Sequence, residues 1–146
     1  MYSTPGPGVT MSLASATPSA SPVAYIAGRY INLGWPARIE VSTNLTTWTG
    51  GPSPVFTTYP SWIYSKVPNF NGSFWAPDVI HMNGYYYLYY SVSTFGTSVS
   101  AIGVARTASL TSPSWTDLGI VVESWGGSAE INAIDAALYR DHDGKV

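Results

Sequence analysis

The chain has 146 residues, the size of one ordinary domain, and 10% of them are charged, against about 25% in an average soluble protein. With 6 Lys and Arg against 8 Asp and Glu, and no basic cluster, it offers no electrostatic footprint for nucleic acid; with no cysteine it can form neither a disulfide nor a thiolate metal site. Gly, Pro, Tyr and Trp are abundant, a composition typical of a secreted β-protein.

The N-terminal stretch differs from the rest of the chain. Up to about Pro22 it is rich in Ser, Thr, Ala, Pro and Gly and has no periodicity, so residues 1–20 are predicted to be a poorly ordered arm. It has neither the charged region nor the apolar region of a signal peptide, and no apolar run long enough to span a membrane occurs anywhere. We therefore expect no membrane partner, and a secreted parent protein would carry its signal peptide outside this chain.

From Ser21 onwards the sequence consists of short β-branched and aromatic runs separated by Gly, Pro and Asn, which predicts an all-β domain over residues 21–146. A weak repeat organises these runs. The segments "SPVAYIAGRYINL" and "APDVIHMNGYYYLYYS" share the order Pro, apolar strand, turn glycine, aromatic strand, and "DAALYRDHDGKV" begins that order again. The turn glycines are Gly28, Gly84 and Gly144.

A second marker follows each of the first two hairpins. "RIEVSTNLTTWTGG" and "AIGVARTASLTSPSWTDLG" both contain an alternating strand, a polar loop and a Trp-Thr pair, at Trp48 and Trp115. Each unit is therefore predicted to be a hairpin, a third strand, a loop and a fourth strand bearing the Trp. Such a unit, about 40 to 60 residues long, is typical of a β-propeller blade, and propellers close with about four or more blades. The chain is expected to hold blades 1 and 2 and the start of blade 3.

Polar residues at the start of each blade are candidates for a site, because the innermost strands of a propeller line its central channel. These positions are Ser21, Trp75 with Asp78, and Asn132 to Asp135. A carboxylate in the apolar run around Asp135 is costly unless it is paired or lies at a wet site. Asp135 is thus either a catalytic or substrate-binding group or a cap for backbone amides. The same alternatives apply to Asp78, for which the structural role is favoured.

The aromatic residues fall into two groups. The alternating tyrosines of residues 85–90 are expected to pack between blades. Trp75 and Phe95, beside small residues at strand or loop ends, are expected to face the channel, where an aromatic ring near a carboxylate suits a sugar. His142 and its acidic neighbours lie beside Gly144 in a predicted turn and are assigned no chemistry.

Three segments, "FWAPDVIHMNGYYYLYYSVSTFG", "SAIGVARTASL" and "INAIDAALYRDHDGKV", strongly resemble glycoside hydrolase family 43, in particular its endo-acting arabinanases. The resemblance runs from about Pro22 to Val146. It implies a five-bladed β-propeller, of which this chain covers about two and a half blades. It also implies a secreted monomer that needs no cofactor and hydrolyses the α-1,5-arabinofuranosidic bonds of arabinan with inversion. Inversion requires a base and an acid carboxyl about 6.5 to 9.5 Å apart, and a third carboxylate nearby can raise the pKa of the acid.

The resemblance also assigns roles to individual residues. Asp135 matches the pKa-modulating Asp of the family's Asn-Ala-Ile-Asp-Pro motif, although Ala136 replaces the Pro. The positions that line or support the arabinose subsites match Trp75, Asp78, Phe95 and Asn132. No metal site is predicted.

The general base is where the sequence departs from the family. Ser21 occupies the position at which the family has an Asp, and no Asp or Glu occurs before Glu40. The general acid is expected beyond Val146. The chain as written is therefore expected to be inactive. Three alternatives remain open: a non-catalytic propeller remnant that binds arabinan, an exo-acting arabinofuranosidase or xylosidase relative, and a structural or protein-interaction propeller without a sugar ligand.

Overall fold

The computed structural model describes residues 23–27, 38–42, 46–47, 49–50, 55–127 and 131–146. These residues form an all-β structure with one short helix. The elements are β1 (Val23–Ala27), β2 (Arg38–Ser42), β3 (Thr49–Gly50), α1 (Trp62–Lys66), β4 (Phe74–Met82), β5 (Tyr85–Ser93), β6 (Val99–Thr107) and β7 (Thr116–Trp125).

The second sheet is the predicted blade. Its four strands are antiparallel and lie in the order β4-β5-β6-β7. Asn83 and Gly84 both have positive φ, 51° and 78°, as a two-residue hairpin of the Asn-Gly type requires. The alternating stretch that begins at Ala101 lies in the third strand, and Trp115 directly precedes the fourth strand. The prediction of a hairpin, a third strand and a fourth strand is confirmed for this unit, with Trp115 one residue before the fourth strand instead of within it.

The first sheet corrects the prediction for blade 1. β1 pairs directly with β2, in register from Val23↔Ser42 to Ala27↔Arg38, so no strand lies between them. β2 corresponds to β6, the third strand of the second sheet. The strand that precedes β6 in the sheet order is β5, the second strand of the blade. This pairing gives β1 the position of a second strand and differs from the predicted order, in which another strand would separate β1 from β2; the predicted hairpin around Gly28 itself falls outside the described residues. Residues 1–22 and 28–37, including Ser21 and Gly28, lie outside the described residues.

One face of the second sheet carries the hydrophobic core. Leu88, Tyr90 and Val92 alternate along β5 and are fully buried. They pack against the segment before β4, which includes α1, a helix of five residues that the sequence analysis did not predict because it is too short to show a helical period. The buried members of this core are Val55, Phe56, Ile63, Val67, Phe70, Phe74, Val79, Leu88, Tyr90, Val92, Ala101 and Ala105.

A carboxylate at the edge of this core joins three elements. Asp117 of β7 accepts hydrogen bonds from the hydroxyl of Tyr90 (2.5 Å) and from Nε1 of Trp62 (3.0 Å). The rings of Trp62 and Tyr90 stack with 6.2 Å between centroids. Gly103 lies beneath them: a Cβ there would sit 2.6 Å from Cζ of Tyr90 and 2.7 Å from Cζ2 of Trp62. Only glycine lets both rings close over β6.

The opposite face carries small hydroxyl side chains, and we call it the serine face, comprising Ser91, Ser93, Ser100 and Ser124. Ser93, Ser100 and Ser124 are cross-strand partners on β5, β6 and β7, so their side chains point the same way. Ser91 is two residues from Ser93 and therefore shares this face. All four serines are buried, and residues 131–140 bond to three of them: Ser91, Ser100 and Ser124.

Residues 131–146 begin the third unit. They end in the turn that the sequence predicts around Gly144, whose φ is 78°. Oδ1 of Asp141 accepts the backbone N–H groups of Asp143 (3.0 Å) and Lys145 (2.8 Å) across this turn. Within the part of the chain that the structure describes, no helix is long and apolar enough to cross a membrane.

The hydroxyl of Tyr90 supports a prediction on pH. Burial, the hydrogen bond to Asp117 and the charge of Asp117, in that order, raise the pKa of Tyr90 above its usual range. Above about pH 10 the unfolded chain releases this proton while the folded chain keeps it, so the free energy of unfolding falls as the pH rises. We expect Tyr90→Phe to lower stability at neutral pH by about 1–3 kcal/mol and to make the alkaline decline shallower.

Urea unfolding at a series of pH values from neutral to alkaline measures both effects. Tyr87→Phe is the matched control, because Tyr87 lies on the same strand but faces the other way. An alkaline decline as steep in Tyr90→Phe as in the unmodified chain would contradict the assignment.

Candidate active site

Residues 131–140 cross the serine face and bond to all four strands of the blade. The N–H of Ala133 donates to Oγ of Ser100 (2.9 Å) and of Ser124 (3.2 Å), on β6 and β7. The N–H of Asp135 then donates to Oγ of Ser91 on β5 (3.0 Å). The segment therefore runs from the outermost strand towards β4, held by side chains of the sheet.

Asp78 completes this path on β4. The register shifts between Trp75 and Asp78, where β4 has one more residue than β5, and Ala76 has a φ of 34° in this bulge. Oδ1 of Asp78 accepts the N–H of Val79 (2.7 Å), and Oδ2 accepts the N–H of Leu138 (2.8 Å). Both carboxylate oxygens thus bind backbone amides, one of them 60 residues away.

Asp135 lies between these anchor points and has an unusual backbone. Its φ is 58°, in the left-handed region, which costs an L-residue about 1–2 kcal/mol. Its side chain is exposed, and within the described residues no hydrogen bond reaches its carboxylate. Its N–H donates to Ser91, a serine that is 0% exposed. The fold therefore fixes the backbone of Asp135 and leaves its charge open to solvent or a ligand.

Asn132 is bonded to the sheet. Its Oδ1 accepts the hydroxyl of Ser100 (2.5 Å), whose Oγ lies 2.7 Å from that of Ser124. Ser124 donates separately to the carbonyl of Ser98 (2.7 Å). The bond from Ser100 connects the start of the Asn-Ala-Ile-Asp segment to the third strand of the blade. The arrangement suits a supporting role for Asn132.

The two predicted aromatic contacts differ in exposure. Phe95, in the loop between β5 and β6, is 88% exposed, and the backbone and hydroxyl of Thr97 both donate to the carbonyl of Thr94 to close this loop. Trp75 is 9% exposed and is the cross-strand partner of Ser91, on the same face of the sheet. Phe95 thus offers an open ring face, whereas Trp75, expected to face the channel, is buried.

The structure brings four of the predicted residues onto one side of the blade: Trp75, Asp78, Asn132 and Asp135. Ser21 lies outside the described residues. The described part of the chain contains no group of three His, Asp or Glu side chains that could hold a metal ion.

Sequence reasoning missed the acceptors Ser91, Ser100 and Ser124. The available signal was the change from Tyr to Ser at alternate positions at the end of β5, where Tyr87 and Tyr89 give way to Ser91 and Ser93 on the same face. Serine is the residue to expect where another backbone segment comes close to the sheet, because its side chain is small and carries a hydroxyl. The pattern does not reveal which segment that is.

Comparison with known proteins decides the family. The model of glycosyl hydrolases family 43 matches residues 29–146. The chain belongs to this family. A curated relative, the extracellular endo-α-(1→5)-L-arabinanase 1 of Bacillus subtilis, is 46% identical over 107 residues, which are 73% of this chain and 32% of the relative.

Solved structures agree with the five-bladed propeller fold of the family 43 arabinanases. An exo-1,5-α-L-arabinanase from a bovine ruminal metagenomic library aligns with a TM-score of 0.78 and 31% identity, over 94% of this chain and 44% of that one. The native B. subtilis arabinanase aligns at 0.76 and 36% identity, over 94% and 47%. The Cellvibrio cellulosa α-L-arabinanase complexed with arabinohexaose aligns at 0.75 and 33% identity, over 94% and 43%. This family 43 chain spans less than half of these structures.

The anchoring role of Asp78 gives a prediction. Asp78→Ala removes the acceptor for Leu138 and is expected to lower the free energy of unfolding by about 1.5–3 kcal/mol and to speed amide exchange at Leu138. Asp141→Ala is the matched control, since that carboxylate also accepts two backbone amides but only within its own turn. Urea unfolding and hydrogen exchange measure both variants. Equal protection of Leu138 in Asp78→Ala and the unmodified chain would exclude the anchor.

Proposed function

We propose that this chain forms part of the active site of a secreted enzyme that hydrolyses α-1,5-arabinofuranosidic bonds in arabinan with inversion. The observation that carries the proposal is the open carboxylate of Asp135, whose backbone is held by Ser91 within an Asn-Ala-Ile-Asp segment. The names of two relatives support it: an extracellular endo-α-(1→5)-L-arabinanase and an extracellular exo-α-(1→5)-L-arabinofuranosidase, each 46% identical over its matched segment.

In this proposal Asp135 modulates the pKa of the general acid. An inverting glycosidase needs a protonated carboxyl that donates to the leaving oxygen and a carboxylate that activates water on the opposite face of the sugar. A further negative charge nearby raises the pKa of the acid, which keeps it protonated at neutral pH. Because no hydrogen bond within the described residues engages the Asp135 carboxylate, its charge is available for this repulsion.

The other site residues divide between contact and support. Phe95, with its exposed ring, is proposed to stack on an arabinose unit, since the apolar face of a sugar suits an aromatic surface. Asp78 and Asn132 are proposed to hold the segment that carries Asp135, through Leu138 and Ser100. Trp75 is 9% exposed, so it offers little surface for contact with a sugar.

The general base is not assigned to any residue of this chain. By resemblance Ser21 stands at the position of the family's base Asp, and it lies outside the described residues. We expect the 146-residue chain to release no oligosaccharide from debranched linear arabinan, measured by chromatography of the products. Turnover by the chain alone would contradict the proposed division of roles.

A hybrid enzyme tests the role of Asp135. Residues 55–146 of this chain would replace the matching segment of the B. subtilis relative, which supplies the remaining blades. We expect the hybrid to hydrolyse linear arabinan and Asp135→Asn to lower kcat on the order of 100-fold. The alkaline limb of its pH profile should move to lower pH, because the acid loses the charge that raises its pKa.

Asp141→Asn is the matched control for the hybrid, since Asp141 lies six residues further on and bonds only within its turn. It should leave kcat and the pH profile unchanged. An Asp135→Asn hybrid with the activity and pH profile of the parent hybrid would overturn the proposed function. The exo-acting alternative is tested in the same assay by whether products appear as monosaccharide or as a range of oligosaccharides.

A further inference from the structure

Three backbone amides, that of Asp135 and one on either side of it in sequence, are bound by side chains of the neighbouring blade. Ala133 binds Ser100, Asp135 binds Ser91, and Leu138 binds Asp78. A backbone that crosses strands cannot pair with them as a further strand, so its buried N–H groups need acceptors from the sheet's face. The hydroxyls of Ser91 and Ser100 are those acceptors, and both are 1% exposed or less.

The position of Ser91 is the decisive one. It is the cross-strand partner of Trp75, the last pair before the bulge in β4, and its Oγ holds the N–H of the residue whose φ is 58°. The direction in which an Asp side chain leaves the backbone depends on φ and ψ. A bond to the amide of Asp135 therefore also restricts the directions in which its side chain can leave the backbone.

We propose that Ser91 is a positioning residue for catalysis: it holds Asp135 in the left-handed conformation that directs its carboxylate towards the general acid, with Ser100 supporting the turn before it. This inference rests on the proposed function of Asp135. Ser91 touches neither the sugar nor the reacting atoms in this account. It acts through the backbone of Asp135, so its loss changes a pKa as well as a rate.

The chain contains a matched control for Ser91. Ser93 lies on the same strand and the same face and is equally buried, but its hydroxyl donates to the carbonyl of Val99 within the β5–β6 hairpin. Ser93→Ala therefore removes a buried hydroxyl hydrogen bond from the same strand without touching residues 131–140. Ser91→Thr keeps the hydroxyl and serves as the conservative variant.

The test uses the hybrid enzyme with linear arabinan as substrate. We expect Ser91→Ala to lower kcat by about 10- to 100-fold with little change in KM, as misplacement of a reacting group does. The alkaline limb of its kcat profile should shift to lower pH in the same direction as in Asp135→Asn, whereas Ser93→Ala should leave that limb in place. Ser91→Thr, which keeps the hydroxyl, should have the alkaline limb of the unmodified hybrid.

Amide hydrogen exchange on the 146-residue chain supplies a second readout that does not depend on activity. Ser91→Ala should increase the exchange rate at Asp135 more than Ser93→Ala does. If Ser91→Ala prevents folding of the hybrid, Ser100→Ala replaces it, with a smaller shift expected because Ser124 also accepts from Ala133.

The outcomes separate the two proposals. If Asp135→Asn shifts the pH profile and Ser91→Ala or its replacement does not, the positioning role is wrong and the proposed function stands. If Asp135→Asn leaves the profile unchanged, the proposed function fails first, whatever Ser91 does. A parallel shift in Ser93→Ala would reduce Ser91 to a general structural role and overturn the inference.

Discussion

A polypeptide segment that passes obliquely over a β-sheet leaves its own amides without strand partners, and the cost of burying them falls on the side chains beneath. In this chain residues 131–140 are such a segment, and the acceptors below it are Ser91, Ser100, Ser124 and Asp78. The serines are small enough for the backbone to approach closely. The start of the third unit, and with it Asp135, is placed by this set of hydrogen bonds.

The two faces of the same sheet are buried by different kinds of contact. The core face is apolar and depends on ring packing, with Gly103 admitting Tyr90 and Trp62, and with Asp117 binding both. The serine face is polar but equally buried. Its contacts with residues 131–140 are directional, since a hydroxyl must point at a particular amide to bond with it. The first face provides stability for the blade, while the second gives the blade its precision in holding Asp135.

Much of this arrangement could be predicted from the sequence. Where prediction failed, the failure has a physical reason. The second blade was predictable because Gly84, the alternating tyrosines and Trp115 are local signals for a hairpin and a fourth strand. The order of the first sheet was not, because a repeat of Pro, strand and Gly does not say which neighbour a strand will pair with. Asp78 and Asp135 were found as candidates from their apolar surroundings, but their opposite states, one bonded to backbone and one open, depend on contacts 44 to 60 residues apart. Trp75 resembled a channel residue because it stands beside small residues at a strand end, but its burial depends on tertiary packing that this local pattern does not specify.

The central claim is that blade 2 holds the backbone of Asp135 so that its carboxylate faces the sugar. A crystal structure of the hybrid enzyme with a bound arabino-oligosaccharide tests this most directly. The account predicts that the N–H of Asp135 stays on Oγ of Ser91 while its carboxylate lies beside the sugar at the cleavage site, close to the acid carboxyl. A carboxylate directed away from the sugar, or an Asp135 amide without Ser91 as its acceptor in an active complex, would contradict it.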